Sequence, residues 1–107
     1  MLDLLIDADE VAMIGVVFAE LLQGCRTPKE RDALKETLLA LPYVEMTQSV
    51  WIRTGETASA LLRRGITLPI PGLIVAAVAL EQQFHLYSLD NHFRKIPGLA
   101  LYTPSIS

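Results

Sequence analysis

Two acidic residues, Glu20 and Asp90, each follow a short apolar run that reads as a strand. In an α/β domain such positions fall at the carboxyl edge of the sheet, where ligands bind, so both carboxylates are candidates for ligand contact. Each also has a purely structural reading. Glu20 lies two residues from Phe18, about 200° around a helix from the apolar stripe at ~100° per residue, on the side that faces solvent. Asp90, in Leu89-Asp90-Asn91-His92, is equally suited to a turn in which its side chain accepts from its own backbone. His85 and His92 are possible metal ligands, but they lack ligand partners at the spacing of a zinc site. Arg63-Arg64 and Arg94-Lys95 can contact phosphates, although short basic pairs at helix ends and turns are usually solvated charge. Trp51 and Tyr43 can stack on bases, yet their apolar, periodic surroundings place them in the core.

The elements that must position these residues alternate between strand and helix. Glu10–Val17 is a nearly continuous apolar run rich in β-branched residues, as in a strand buried on both faces. Phe18, Leu21, Leu22 and Cys25 then recur at helical spacing as far as Gly24 and Thr27-Pro28. Pro28–Leu41 reads as an amphipathic helix with Pro in its first turn. Pro42–Met46 is a short strand, and Thr47 or Ser49 caps a longer helix carrying Val50, Trp51, Thr54, Ala58, Leu61 and Leu62 on one face. Gly65 ends it. Pro69-Ile70-Pro71 breaks the chain, and Leu73–Gln83 is a helix apolar on nearly every side, hence buried against a sheet. Phe84–Leu89 and Leu99–Thr103 are two further strands, separated by a turn containing Asp90, Asn91, Pro97 and Gly98. This order predicts a layered α/β domain with a mostly parallel sheet.

With 107 residues, half of them apolar, the chain is expected to form one domain, residues 1–107, with a core that needs no disulfide. Cys25 is the only cysteine, and the N-terminus has no basic n-region of a secretory signal, so a cytoplasmic location is expected. The longest apolar run, Leu73–Leu80, falls short of the roughly 18 residues that a membrane span requires. A net charge of −3 means that nucleic-acid binding would need a local basic patch or a bound cation.

Phe18–Gly24, Leu62–Ala77 and Tyr87–Phe93, taken in order and followed by Ile96-Pro97-Gly98-Leu99, resemble the PIN family and, within it, the VapC-type toxin endoribonucleases. The resemblance runs from Val11 to Thr103. It implies a PIN-like three-layer α/β/α fold and acidic residues that hold Mg²⁺ or Mn²⁺ at the sheet edge for RNA hydrolysis. Hard oxygen ligands suit such an ion, which activates water and neutralises charge developing on the phosphate. By resemblance, Glu20 and Asp90 are metal ligands and catalytic residues, and Ser88 is the hydroxyl that accompanies the later aspartate. Two departures are expected to impair activity. The family's first strand, which ends in an aspartate, is missing, because Met1–Asp9 reads as the tail of a preceding helical region. The aspartate that opens the buried helix is replaced by Gly72, which has neither charge for the helix dipole nor helix propensity. Without that strand, two sheet edges would be unpaired, favouring a homo-oligomer or a strand supplied by a partner. The resemblance also names an RNA substrate and an antitoxin protein as partners. The alternatives are a non-catalytic PIN-fold binding module and an unrelated doubly wound domain, the latter disfavoured because no Gly-rich phosphate loop follows the first strand.

Overall fold

A computed structural model describes residues 3–8 and 10–102. Three strands form the sheet: β1 (Leu4–Asp7), β2 (Glu10–Ala12) and β3 (His85–Tyr87), in the order β2-β1-β3. Four helices accompany them: α1 (Gly15–Gln23), α2 (Pro28–Leu39), α3 (Gln48–Arg63) and α4 (Ile70–Gln82). A short 3₁₀ helix, Asn91–Lys95, follows β3.

The N-terminal segment departs most from the sequence expectation. Residues read as a helical tail instead form the central strand, and Leu5 and Ile6 are buried there. A three-residue apolar run bounded by Asp3 and Asp7 has the length of a strand, and the open slot between β2 and β3 gives it hydrogen-bond partners on both sides. β1 pairs antiparallel with both neighbours: Leu5 opposite Ala12 on one side and Leu86 on the other. β2 and β3 consequently run in one direction, with β1 opposed. The outer flanks are covered as well. Met13 bridges to Tyr43 in parallel, and Leu86 bridges to Leu101 in parallel. The expected pair of open edges is therefore filled from within the chain. The predicted strands at 42–46 and 99–103 shrink to these single bridges, held by Met13 N–H to the Pro42 carbonyl (2.7 Å) and Tyr102 N–H to the Leu86 carbonyl (2.8 Å). Met1, Leu2, Asp9 and Thr103 lie outside the described residues.

The apolar run Glu10–Val17 divides into β2 and the first turn of α1, since helix begins at Gly15 behind an extended Ile14. Val16 and Val17 are weak helix formers, but burying Val17 against the core outweighs that preference. α2 is capped by Thr27, whose hydroxyl accepts from Glu30 N–H at 3.1 Å, with Pro in the first turn. α3 is capped in the same way by Thr47 and ends in a Schellman turn. There Gly65 takes φ +75°, Ile66 N–H donates to the Leu61 carbonyl at 2.9 Å, and both side chains are buried.

The continuously apolar α4 is the centre of the molecule. Every residue from Gly72 to Ala79 is buried, and the helix touches α1, α3, β1 and β3. Pro69 and Pro71 do not precede this helix as a break. They form its start, where a proline's missing N–H costs nothing. Trp51 and Tyr43, read as core, are instead half exposed, each at 52%. The buried stripe of α3 is Val50, Thr54 and Leu61, with Trp51 and Leu62 on its solvent side.

Candidate functional site

Ser88 and Asp90 follow the last residue of β3, and the reversed direction of β1 brings a third residue to them. Because Leu4 pairs with Tyr87 in antiparallel register, Asp3, just before β1, meets the carboxyl end of β3. The Ser88 hydroxyl donates to Asp3 Oδ1 at 2.5 Å, and Ser88 Oγ in turn accepts from Asp90 N–H at 3.1 Å. Burial pushes the Asp3 carboxyl above its ordinary value, the Ser88 hydrogen bond opposes the shift, and the nearby Asp90 charge adds to it. Sequence reasoning had placed no carboxylate at this end of the chain. The available signal was the strand-length run Leu4-Leu5-Ile6, which fixes where Asp3 must stand once it pairs.

Asp90 is both a turn residue and a member of this group. Its side chain caps the 3₁₀ helix by accepting from His92 N–H at 2.9 Å, and the His92 ring Nδ1 lies 2.9 Å from the same oxygen. The ring is thereby fixed with Nδ1 toward Asp90. His85 is exposed on β3, apart from this arrangement.

Gly72 acquires a physical reason. An ideal Cβ built on it would lie 3.0 Å from Asp3 Oδ2 and 3.0 Å from Phe93 Cζ, closer than side-chain carbons normally approach. Phe93 is 2% exposed, so its ring is enclosed by the core that it would have to shift into. The first turn of α4 thus carries no carboxylate of its own and has the carboxylate of Asp3 lying over it, where the helix dipole favours negative charge.

Glu20 stands on α1 with its side chain exposed, as the helical wheel indicated. Among the described residues, no group of three or more Asp, Glu, His or Cys side chains converges closely enough to hold a metal ion. The structure brings together Asp3, Ser88 and Asp90, and among the described residues Glu20 does not complete a three-member metal-holding group with the two aspartates. By donor type these three fit a hard divalent cation: all offer oxygen, and one carboxylate is partly desolvated beside another negative charge.

The basic pairs are also rearranged by the fold. Arg64, at the end of α3, donates from Nη1 to the Lys95 carbonyl at 2.9 Å, which joins two stretches 31 residues apart.

Comparison with known proteins agrees with this architecture. A family model described as PIN domain matches residues 1–99. Ribonuclease VapC21 from Mycobacterium tuberculosis is 36% identical over 62 residues, which cover 56% of this chain. The chain spans 45% of that relative's length. Among solved structures, VapBC2 from Rickettsia felis, bound to a DNA fragment from its promoter, superposes with a TM-score of 0.74 at 22% identity, covering 85% of this chain and 72% of that one. VapBC-1 from nontypeable Haemophilus influenzae gives 0.76 at 19% identity, covering 91% and 76%. VapBC-5 from Mycobacterium tuberculosis gives 0.62 at 22% identity, covering 79% and 72%. At these identities the structural likeness speaks to the fold.

Proposed function

This chain belongs to the PIN domain family, and from that premise we propose that it is a VapC-like protein of a toxin–antitoxin system whose activity is Mg²⁺- or Mn²⁺-dependent hydrolysis of RNA phosphodiester bonds. The observation that carries this reading is the Asp3–Ser88–Asp90 constellation at the carboxyl end of β3. Asp3 and Asp90 would hold the ion, and when bound it would activate water and neutralise charge on the phosphate. Ser88 orients Asp3 by donating to one of its oxygens and takes up the Asp90 amide, so the two carboxylates keep a fixed separation. His92 holds Asp90 from the other side. Glu20, the other ligand suggested by resemblance, does not complete a metal-holding group with them among the described residues. Mg²⁺ keeps much of its water and prefers well-placed oxygens, so two carboxylates bind it weakly and activity is impaired. A cytoplasmic setting belongs to this reading. Among the described residues, no helix is long and apolar enough to cross a membrane.

Calorimetry with Mn²⁺ on this chain, on Asp3→Asn and on Asp90→Asn, with RNA cleavage followed in the same samples, tests the assignment. Binding by the parent chain that either substitution abolishes supports it. Binding that survives both substitutions and disappears in Glu20→Gln would move the site to α1.

The second reading is a non-catalytic module that binds an antitoxin or another protein. It is favoured by an open apolar groove of about 550 Å³ lined by Phe18, Leu22, Leu39, Leu41 and Tyr43, with Leu39 at 67% exposure. If no Mn²⁺ binds while a cognate antitoxin protects Leu39 and Tyr43 from solvent exchange or labelling, this reading replaces the first.

A further inference from the structure

We propose that Arg64, Arg94 and Lys95, with Arg63 beside them, form the surface that holds the phosphates of a single-stranded RNA on the flank of Asp90. The chain has nine Lys and Arg residues and a net charge of −3, so clustering of four of the nine is a local reversal of the overall field. The cluster is created by the tertiary fold. α3 ends in the Schellman turn at Gly65, which sends Arg64 toward the 3₁₀ helix, where its guanidinium is tied to the Lys95 carbonyl. All four side chains are exposed, and among the described residues none of the four forms an ion pair with a carboxylate. In contrast, Arg31 is paired with Asp32 and Arg53 with Glu81.

The position matters as much as the charge. Asp90 is the cap of the 3₁₀ helix that carries Arg94 and Lys95 in its last turn. At about 2 Å rise per residue, that helix sets the basic end roughly 10 Å from Asp90. A backbone lying along it therefore meets fixed positive charge a short way from the carboxylates. Cations at the carboxylates alone would leave the flanking phosphates unneutralised, and guanidinium forks suit phosphate oxygens. Arg64 is exposed and uses one of its nitrogens in the bond to Lys95, which leaves its other N–H groups for a phosphate.

The ligand class rests on the ribonuclease reading, but the surface is tested without the metal. A short fluorescein-labelled single-stranded RNA is titrated in EDTA with the full chain, with Arg94→Glu/Lys95→Glu, and with Lys29→Glu/Lys35→Glu on exposed α2, an equal change of charge. The expected result is binding that the first pair of substitutions weakens at least about tenfold while the α2 pair changes it little. The slope of log affinity against log salt should fall by about 1.4 for two lost phosphate contacts at about 0.7 each. Arg94→Gln/Lys95→Gln, judged by its melting curve, serves if the charge reversals disturb folding. Equal loss in the α2 variant, absence of RNA binding by the parent chain, or equal competition by polyglutamate would overturn the proposal. Mn²⁺ binding separates the two readings. Metal bound with an ineffective patch removes only this inference, whereas RNA held through the patch by a chain that binds no metal removes only the nuclease.

Discussion

Asp3 and Gly72 make opposite demands on one small volume. Gly72→Ala gains about 1 kcal/mol of helix propensity but places a carbon 3.0 Å from the buried Phe93 ring and from Asp3. Overpacking in a core typically costs about 1–3 kcal/mol, so the substitution should destabilise the protein in urea melts. Asp3→Ala in the same chain should recover only part of the loss, because Phe93 remains. Additive effects of the two substitutions would show that Asp3 does not lie over Gly72. Asp3 also predicts a pH dependence. Its folded pKa is raised, so the native state holds more protons than the unfolded one between the ordinary carboxylate value and the raised one. Stability contributed by this group therefore falls as pH rises through that window. Asp3→Asn should raise the melting temperature at neutral pH and flatten the melting-temperature profile just above the ordinary carboxylate range. A lower melting temperature for Asp3→Asn at neutral pH would contradict the desolvation that sets the shift.

Among the elements, β1 is the one on which the site depends, since Asp3 reaches Ser88 only through its reversed pairing with β3. Leu5 is 1% exposed, and Leu5→Ala should cost about 2–5 kcal/mol, comparable with other central core truncations. The amides of Leu4–Asp7 that pair with β2 and β3 should exchange as slowly as those of α4. Rapid exchange there, with a Leu5→Ala cost near zero, would show the N-terminal segment to be outside the core. The turn that ends α3 is a second test at this scale. Gly65 has open space around its Cβ position and a φ of +75°, so the cost of Gly65→Ala is conformational, about 1–2 kcal/mol, without a packing contribution. The same substitution should loosen Arg64 from Lys95.

For the molecule as a whole, the important correction concerns association. The premise for partner-supplied strands was an open slot in the sheet, and β1 occupies it while Tyr43 and Leu101 cover the outer flanks. Association through a strand inserted between β2 and β3 is therefore not expected. Because α4 packs on both helices and sheet, heat unfolding is expected to be one transition, with calorimetric and van't Hoff enthalpies equal. Two separated transitions, one lost with Leu5→Ala, would assign β1 and the remainder to different cooperative units.

Helix order, Pro28 in the first turn of α2, the cap at Thr47, the stop at Gly65 and the burial of α4 were legible in the sequence, because each depends on neighbours within a few turns. The resemblance through Phe18–Gly24, Leu62–Ala77 and Tyr87–Phe93 likewise pointed to the family, and with it to Asp90 and Ser88. Exposure of Trp51 and Tyr43 was not legible, since the pattern of a helix or a strand gives its apolar face and cannot say how far its partner extends. Nor was the direction of β1. A three-residue apolar run fits either pairing sense, and only the empty place between β2 and β3 selects the one that brings Asp3 over Gly72 to Ser88. Sequence spacing determined the helices, and the resemblance named Ser88 and Asp90 as candidates. Long-range pairing, which closes a hydrogen bond between residues 85 positions apart, brought Asp3 to them.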